Sequence, residues 1–131
     1  MQAIDTNLLV RLFVDDDAAQ ARKVRDLFDH HAGDDGALWI SDIVLVELVW
    51  TLDRAYDRSR DEIAGALQAL TGNATVDLES ALAVAQATAL YTQGRADFAD
   101  CLLVAKAAQI GCESVRTFDK KMRGLPGVKL L

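Results

Sequence analysis

The sequence predicts an α/β fold, a single α/β/α sandwich around a central, mainly parallel sheet, from three observations. Short apolar runs alternate along the chain with longer segments of helical periodicity, the pattern of strands joined by helical crossovers. Start and stop signals bracket those helical segments, with Ser41, Ser59 and Asp97 at starts and Gly72, Gly94 and Gly111 at ends. The chain has 131 residues, is 51% apolar and contains one proline, which suits one compact domain spanning residues 1–131 rather than disorder.

Taken in order, Gln2-Ala3-Ile4-Asp5 reads as a short strand, and Thr6-Asn7 begins a turn into Leu8–Phe13. Asp15-Asp16-Asp17 is a solvated helix start. The helix after it, from Ala18 to His31, carries Ala21, Val24, Leu27 and Phe28 in register. Ala37–Ile40 is a second strand, and Ser41 caps a helix running to about Tyr56. A turn at Asp57-Arg58 leads to a helix over Ser59–Leu70, closed by Gly72 as a C-terminal glycine. Ala74–Leu78 is a third strand, followed by an alanine-rich helix from about Glu79 to Gln93. The helix opened by Asp97 runs to Ile110, Glu113–Phe118 is a fourth strand, and Val128–Leu130 is the last.

The net charge of −6 argues against ordinary nucleic-acid binding, which rests on Lys and Arg neutralising phosphates. A cluster of acids around divalent cations, or a basic protein partner, would reconcile it. The first residues meet Asp5 with no basic leader, and the uncharged run 80–94 is shorter than the ~20 residues of a membrane span. A cytosolic protein is expected. Cys101 and Cys112 match no zinc spacing and read as buried small hydrophobes, and the adjacent pair His30-His31 closes a helix. Trp39 and Trp50 are expected in the core.

The acids carry the functional signal. Asp100 shares a helical stripe with Leu103, Val104 and Ala107 and should therefore look inward, where an unpaired carboxylate costs several kcal/mol. Glu47 is the only charge in Ile43–Trp50, flanked at helical spacing by Ile43, Val44, Trp50 and Thr51. A buried salt bridge is one reading of it, and a metal or substrate role the other; Arg54, two turns on, is too far for a simple pair. Asp5 and Asp119 each follow a strand, where open α/β sheets place ligands, although either could also serve only as a turn or cap residue. Asp97 has the same two readings, helix cap or site acid. Carboxylates gathered at 4 Å repel by about 4 kcal/mol per pair at an effective dielectric of 20, so such a group persists with cations or shared protons. Oxygen donors without His or thiolate suit Mg²⁺ or Mn²⁺.

Asp5-Thr6-Asn7 after an N-terminal strand, a lone Glu47 in an apolar helix, Asp97-Phe98-Ala99-Asp100 opening a helix and Thr117-Phe118-Asp119 after a strand resemble, in that order, the PIN domain. More narrowly they resemble the VapC toxins of type II toxin–antitoxin systems. The resemblance covers essentially the whole chain. It implies a Mg²⁺- or Mn²⁺-dependent endoribonuclease with Asp5, Glu47, Asp100 and Asp119 as catalytic acids. Asp5 and Asp100 would be the direct metal ligands, and Asp97 an additional acid present in many such toxins. Thr6 and Thr117 match hydroxyl positions that orient carboxylates or water. The resemblance also implies a homodimer silenced by a VapB-like antitoxin. RNA would still need cations to hold it, and Arg11, Arg95, Arg116, Lys120, Lys121 and Arg123 lie near the motif residues in sequence, where they read either as a basic rim or as ordinary solvated charge.

Two other acid-rich folds fit poorly. A receiver-type phosphoacceptor would need an acidic pair after the first strand, and a haloacid-dehalogenase-type phosphatase an Asp at position 7, which is Asn7. The remaining alternative is a non-catalytic PIN-like RNA-binding or protein-interaction module, against which the intact acids argue.

Overall fold

A computed structural model describes all 131 residues and divides them into two compact units, Met1–Glu79 and Ser80–Leu131. The first unit holds β1 (Gln2–Ala3), α1 (Thr6–Phe13), α2 (Ala18–His30), β2 (Leu38–Ile40), α3 (Asp42–Arg54), α4 (Arg60–Thr71) and β3 (Val76–Leu78). The second holds α5 (Ala81–Gln93), α6 (Phe98–Gln109), β4 (Val115–Thr117), a 3₁₀ turn at Lys120–Met122 and β5 (Val128–Leu130).

Every strand pairing is parallel, as the alternation predicts. In the first unit the order is β1-β2-β3, with Gln2 opposite Leu38 and Leu38 opposite Val76. Parallel neighbours need crossovers, supplied by α1–α2 and by α3–α4. In the second unit β4 pairs with β5, Val115 facing Val128. The expected central sheet is thus two hydrogen-bonded ladders, one to each unit. The strands are also shorter than the sequence reading. β1 stops at Ala3, so that Asp5 does not end a strand but caps α1.

The helix limits follow local chemistry. Asp17 accepts the Gln20 N–H at 3.0 Å, Ser41 the Val44 N–H at 3.2 Å, and Ser59 forms a reciprocal capping box with Glu62. Backbone hydrogen bonds from Ser59, ahead of its hydroxyl and Arg58, hold the Glu62 carboxyl below its usual range. Gly111 follows α6 in the left-handed region (φ +84°), the conformation glycine adopts without Cβ strain. Gly72 does not: its φ is −84°, so α4 ends without the left-handed glycine cap expected there. Between α3 and α4 the turn falls to Asp57, at φ +52°, a region Asp tolerates better than most residues.

The first unit buries Leu9, Leu38, Ile40, Leu45, Leu48, Ile63 and Leu67 almost completely, each worth about 1.5–3 kcal/mol of transfer free energy. α1 packs on α2 and on α3, so the helix starting at Thr6 is seated directly against the helix carrying Glu47. In the second unit α5 packs along α6, with the Tyr91 and Phe98 rings edge-to-face at 6.0 Å, and Val84, Ala87, Phe98 and Cys101 are buried. No helix is long and apolar enough to cross a membrane.

Candidate active site

In the first unit the site is built around Thr6. As the first residue of α1 its N–H has no partner within the helix, and it donates to Asp5 Oδ1 at 2.8 Å. Its hydroxyl donates to Glu47 Oε2 at 2.7 Å, a short charge-assisted bond between α1 and α3. Thr6 is 8% exposed while both carboxylates it touches are exposed. One buried residue thus orients two acids that lie 42 positions apart in sequence. Each keeps one carboxylate oxygen outside these bonds.

Glu47 is not on a covered apolar face, as its neighbours in sequence suggested. Ile43 and Trp50, which flank it on α3, are 71% and 62% exposed, and the buried side of α3 is formed by Leu45, Leu48, Val49 and Leu52. No Arg or Lys pairs with Glu47, so the buried salt bridge is absent. Trp50 likewise lies outside the core, whereas Trp39 is half-buried in β2.

In the second unit Asp97 stands at the N-cap of α6, but its side chain makes no capping hydrogen bond, and the capping role foreseen for it is therefore not taken up. Asp100, one turn on, is half-buried. Burial raises its carboxyl above the usual range, and the neighbouring charges of Asp97 and then Asp119 push it in the same direction. Asp100 borders the buried stripe of Phe98, Cys101, Leu102, Val104 and Ala105 rather than lying within it, because Leu103 is exposed. Thr117 Oγ1 accepts the Asp119 N–H at 3.0 Å, and Asp119 Oδ1 accepts the Lys121 N–H at 2.9 Å. Asp119 is both the cap of the 3₁₀ turn and a charge felt by Asp100. Thr117 acts on the backbone of Asp119 rather than on a carboxylate.

The profile of the PIN domain matches residues 3–128. The chain belongs to the PIN domain family. It is also similar to a VapC ribonuclease of Aquifex aeolicus (strain VF5), at 23% identity over 125 residues, covering 95% of this chain and 92% of that protein.

Within this PIN domain the acids read from sequence fall into one group per unit: Asp5 with Glu47 through Thr6, and Asp97 and Asp119 around Asp100. No three His, Cys, Asp or Glu side chains form a ready-made metal cage. The donor chemistry nevertheless fits a hard divalent cation, since every candidate is a carboxylate and the repulsion on Asp100 is of the kind a cation relieves. Of the basic rim, Arg95 and Lys121 border one cavity of about 250 Å³. Arg11 is instead committed to Asp16 at 2.6 Å and to Gln20 at 2.7 Å, with Tyr56 also donating to Asp16 at 2.7 Å. Cys112 is exposed, contrary to the expectation of burial, while Cys101 is buried as expected. One acid that the sequence reading did not single out is Asp42, 9% exposed at the start of α3. Its backbone N–H donates to Glu79 Oε1 at 3.1 Å, and its only sequence signal was its position behind the Ser41 cap.

Proposed function

We propose that this PIN domain is a metal-dependent endoribonuclease of the VapC type, the toxin of a type II toxin–antitoxin pair. The observation that carries the reading is the electrostatic state of Asp100: a half-buried carboxyl kept beside Asp97 and Asp119 against their repulsion. Sites retain such crowded like charges where a cation or a proton makes use of them. The full-length similarity to a VapC ribonuclease supplies the substrate class, RNA.

On this reading Asp5, Glu47, Asp100 and Asp119 are the catalytic acids, and Asp5 and Asp100 hold the metal directly. Asp97, free of capping duty, is an additional acid. A bound Mg²⁺ or Mn²⁺ would supply charge neutralisation at the scissile phosphate and an acidified water. The protein's own contribution is positioning. Thr6 holds Asp5 and Glu47 in fixed orientations through one N–H and one hydroxyl, and Thr117 sets the turn that presents Asp119. Arg95 and Lys121, on one cavity, give an otherwise acidic protein a place to receive a backbone phosphate. A VapB-like antitoxin as the partner, a homodimer and a cytosolic location complete the proposal.

A second reading, a non-catalytic PIN-like binding module, draws on the lack of a ready-made three-ligand cage. Purified protein incubated with total RNA and Mg²⁺ or Mn²⁺, beside Asp5→Ala and Asp100→Ala variants verified as folded by circular dichroism, separates the two. Discrete metal-dependent cuts lost in both variants support the nuclease. Folded, antitoxin-free wild type that cuts no class of RNA leaves the binding module. Cutting that persists in both variants marks a contaminant and removes the assignment of Asp5 and Asp100.

A further inference from the structure

An indole left 62% exposed is an expensive surface for an isolated chain, and on α3 it has a specific setting. Trp50 lies three residues after Glu47 and four before Arg54, so the three share one helix face. Along the axis, acid, indole and guanidinium span about 10.5 Å at 1.5 Å per residue. Val46, Glu47, Trp50 and Thr51 line an open cavity of about 380 Å³. The Glu47 carboxylate in that cavity is held in place by the Thr6 hydroxyl at 2.7 Å. Arg54 is exposed, and its one ion pair, to the adjacent Asp53, is long at 3.5 Å.

We infer that Trp50 is a stacking platform for an unpaired base of the RNA, with Arg54 meeting the phosphate beyond it. This rests on the nuclease reading above, and it names how that site selects a single-stranded segment. A protein partner would suit Trp50 and Arg54, but covering this face would desolvate Glu47, which lies between Ile43 and Trp50 on α3, and interface cores are depleted of such charge. A base asks for less. Its π-face covers the indole, its polar edge and the solvent satisfy the carboxylate, and stacking tolerates any base. The sequence of groups also suits a strand: a carboxylate at the reacting end, an aromatic surface for the adjacent base, and a cation at a spacing an extended backbone can reach. Exposed Ile43, one turn before Glu47, extends the apolar surface on the other side.

The test uses the full chain carrying Trp39→Phe, which leaves Trp50 as the only indole of the two in the sequence. Ca²⁺ replaces Mg²⁺ to slow hydrolysis, and a short single-stranded RNA is the probe, with a gel confirming that it stays intact. Binding should quench the emission of Trp50. Read by the anisotropy of the same RNA carrying an end label, because these variants lack the indole, Trp50→Ala should weaken binding about 5- to 150-fold, the equivalent of ~1–3 kcal/mol per stacked base, while Trp50→Tyr restores most of it. A merely structural role would not leave RNA affinity dependent on an aromatic ring at position 50 while the melting midpoints of the variants stay unchanged. Arg54→Gln should lower the slope of log affinity against log salt by about one. Unchanged affinity in Trp50→Ala, while the wild type still binds and cleaves RNA, overturns the inference and leaves the nuclease intact. Conversion of an oligomer to a monomer by Trp50→Ala at unchanged RNA affinity also overturns it, and assigns the face to a second copy. A wild type that neither binds nor cleaves RNA removes the nuclease reading itself, and the inference with it.

Discussion

Replacing Thr6 by valine deletes one hydroxyl while keeping the side chain's shape, and the structure makes the consequence calculable. Thr6 is buried, and its hydroxyl donates to Glu47 Oε2 at 2.7 Å. Hydrogen bonds to charged groups contribute about 1.5–3 kcal/mol when shielded. Glu47 is exposed, so water replaces part of the bond and the expected loss is nearer ~1 kcal/mol. With an unfolding entropy of about 2.1 cal/mol/K per residue across this chain, that loss lowers the melting midpoint by roughly 3–4 °C. The decisive assay is a double-mutant cycle over Thr6→Val and Glu47→Ala, read by urea denaturation. A coupling of ~1 kcal/mol is expected, because either change removes the same bond. If Glu47 is catalytic, Thr6→Val should also reduce RNA cleavage about 10- to 100-fold, the usual effect of losing a group that orients a metal-site carboxylate, and Thr6→Ser should retain it. Strictly additive single effects would refute the reasoning, since Thr6 would then be packing beside Glu47 without holding it.

Three other outcomes follow from the same structure. In EDTA, Asp100→Asn should melt higher than wild type at neutral pH. The Asp100 carboxyl is raised above 3.8, so the stability its protonated form contributes is present below that value and lost as pH rises through the folded value. The gap between the two proteins should therefore be absent near pH 3, open through the carboxylate range and narrow on adding Mg²⁺. Tyr56→Phe should bring the Asp16 carboxyl back up toward its usual range in an NMR titration, because the Tyr56 hydroxyl, ahead of Arg11, is what holds it down. Ser59→Ala removes the side-chain cap of α4 and should cost about 1 kcal/mol in chemical denaturation.

Much of the chain was legible because its signals are local. The Asp17, Ser41 and Ser59 caps, the glycine after α6 and the apolar periods of α2 and α4 each involve residues within one or two turns. The parallel pairing follows from the same alternation, since consecutive strands separated by helices have no room to be hairpins. Glu47 and Asp100 stood out for the opposite reason, as charges interrupting apolar runs, but the inward-facing setting inferred for each is not the one they occupy: Glu47 is exposed and Asp100 borders the buried stripe of α6.

What tertiary packing decided was which faces are covered. The apolar residues of α3 exceed one stripe, and periodicity cannot say that Leu45, Leu48 and Leu52 are buried while Ile43 and Trp50 face outward. Only the seating of α1 on α3 brings the Thr6 hydroxyl to Glu47, and only the network around Asp16 shows that Arg11, one of the cations expected to hold RNA, is committed elsewhere. The Asp97 cap failed in the same way: the residue occupies the capping position, but its carboxylate forms no bond there. Residue type and spacing thus determined the elements and named the acids. Their exposure, partners and charge states are sums over contacts distant in sequence, and these arise only once the helices have packed.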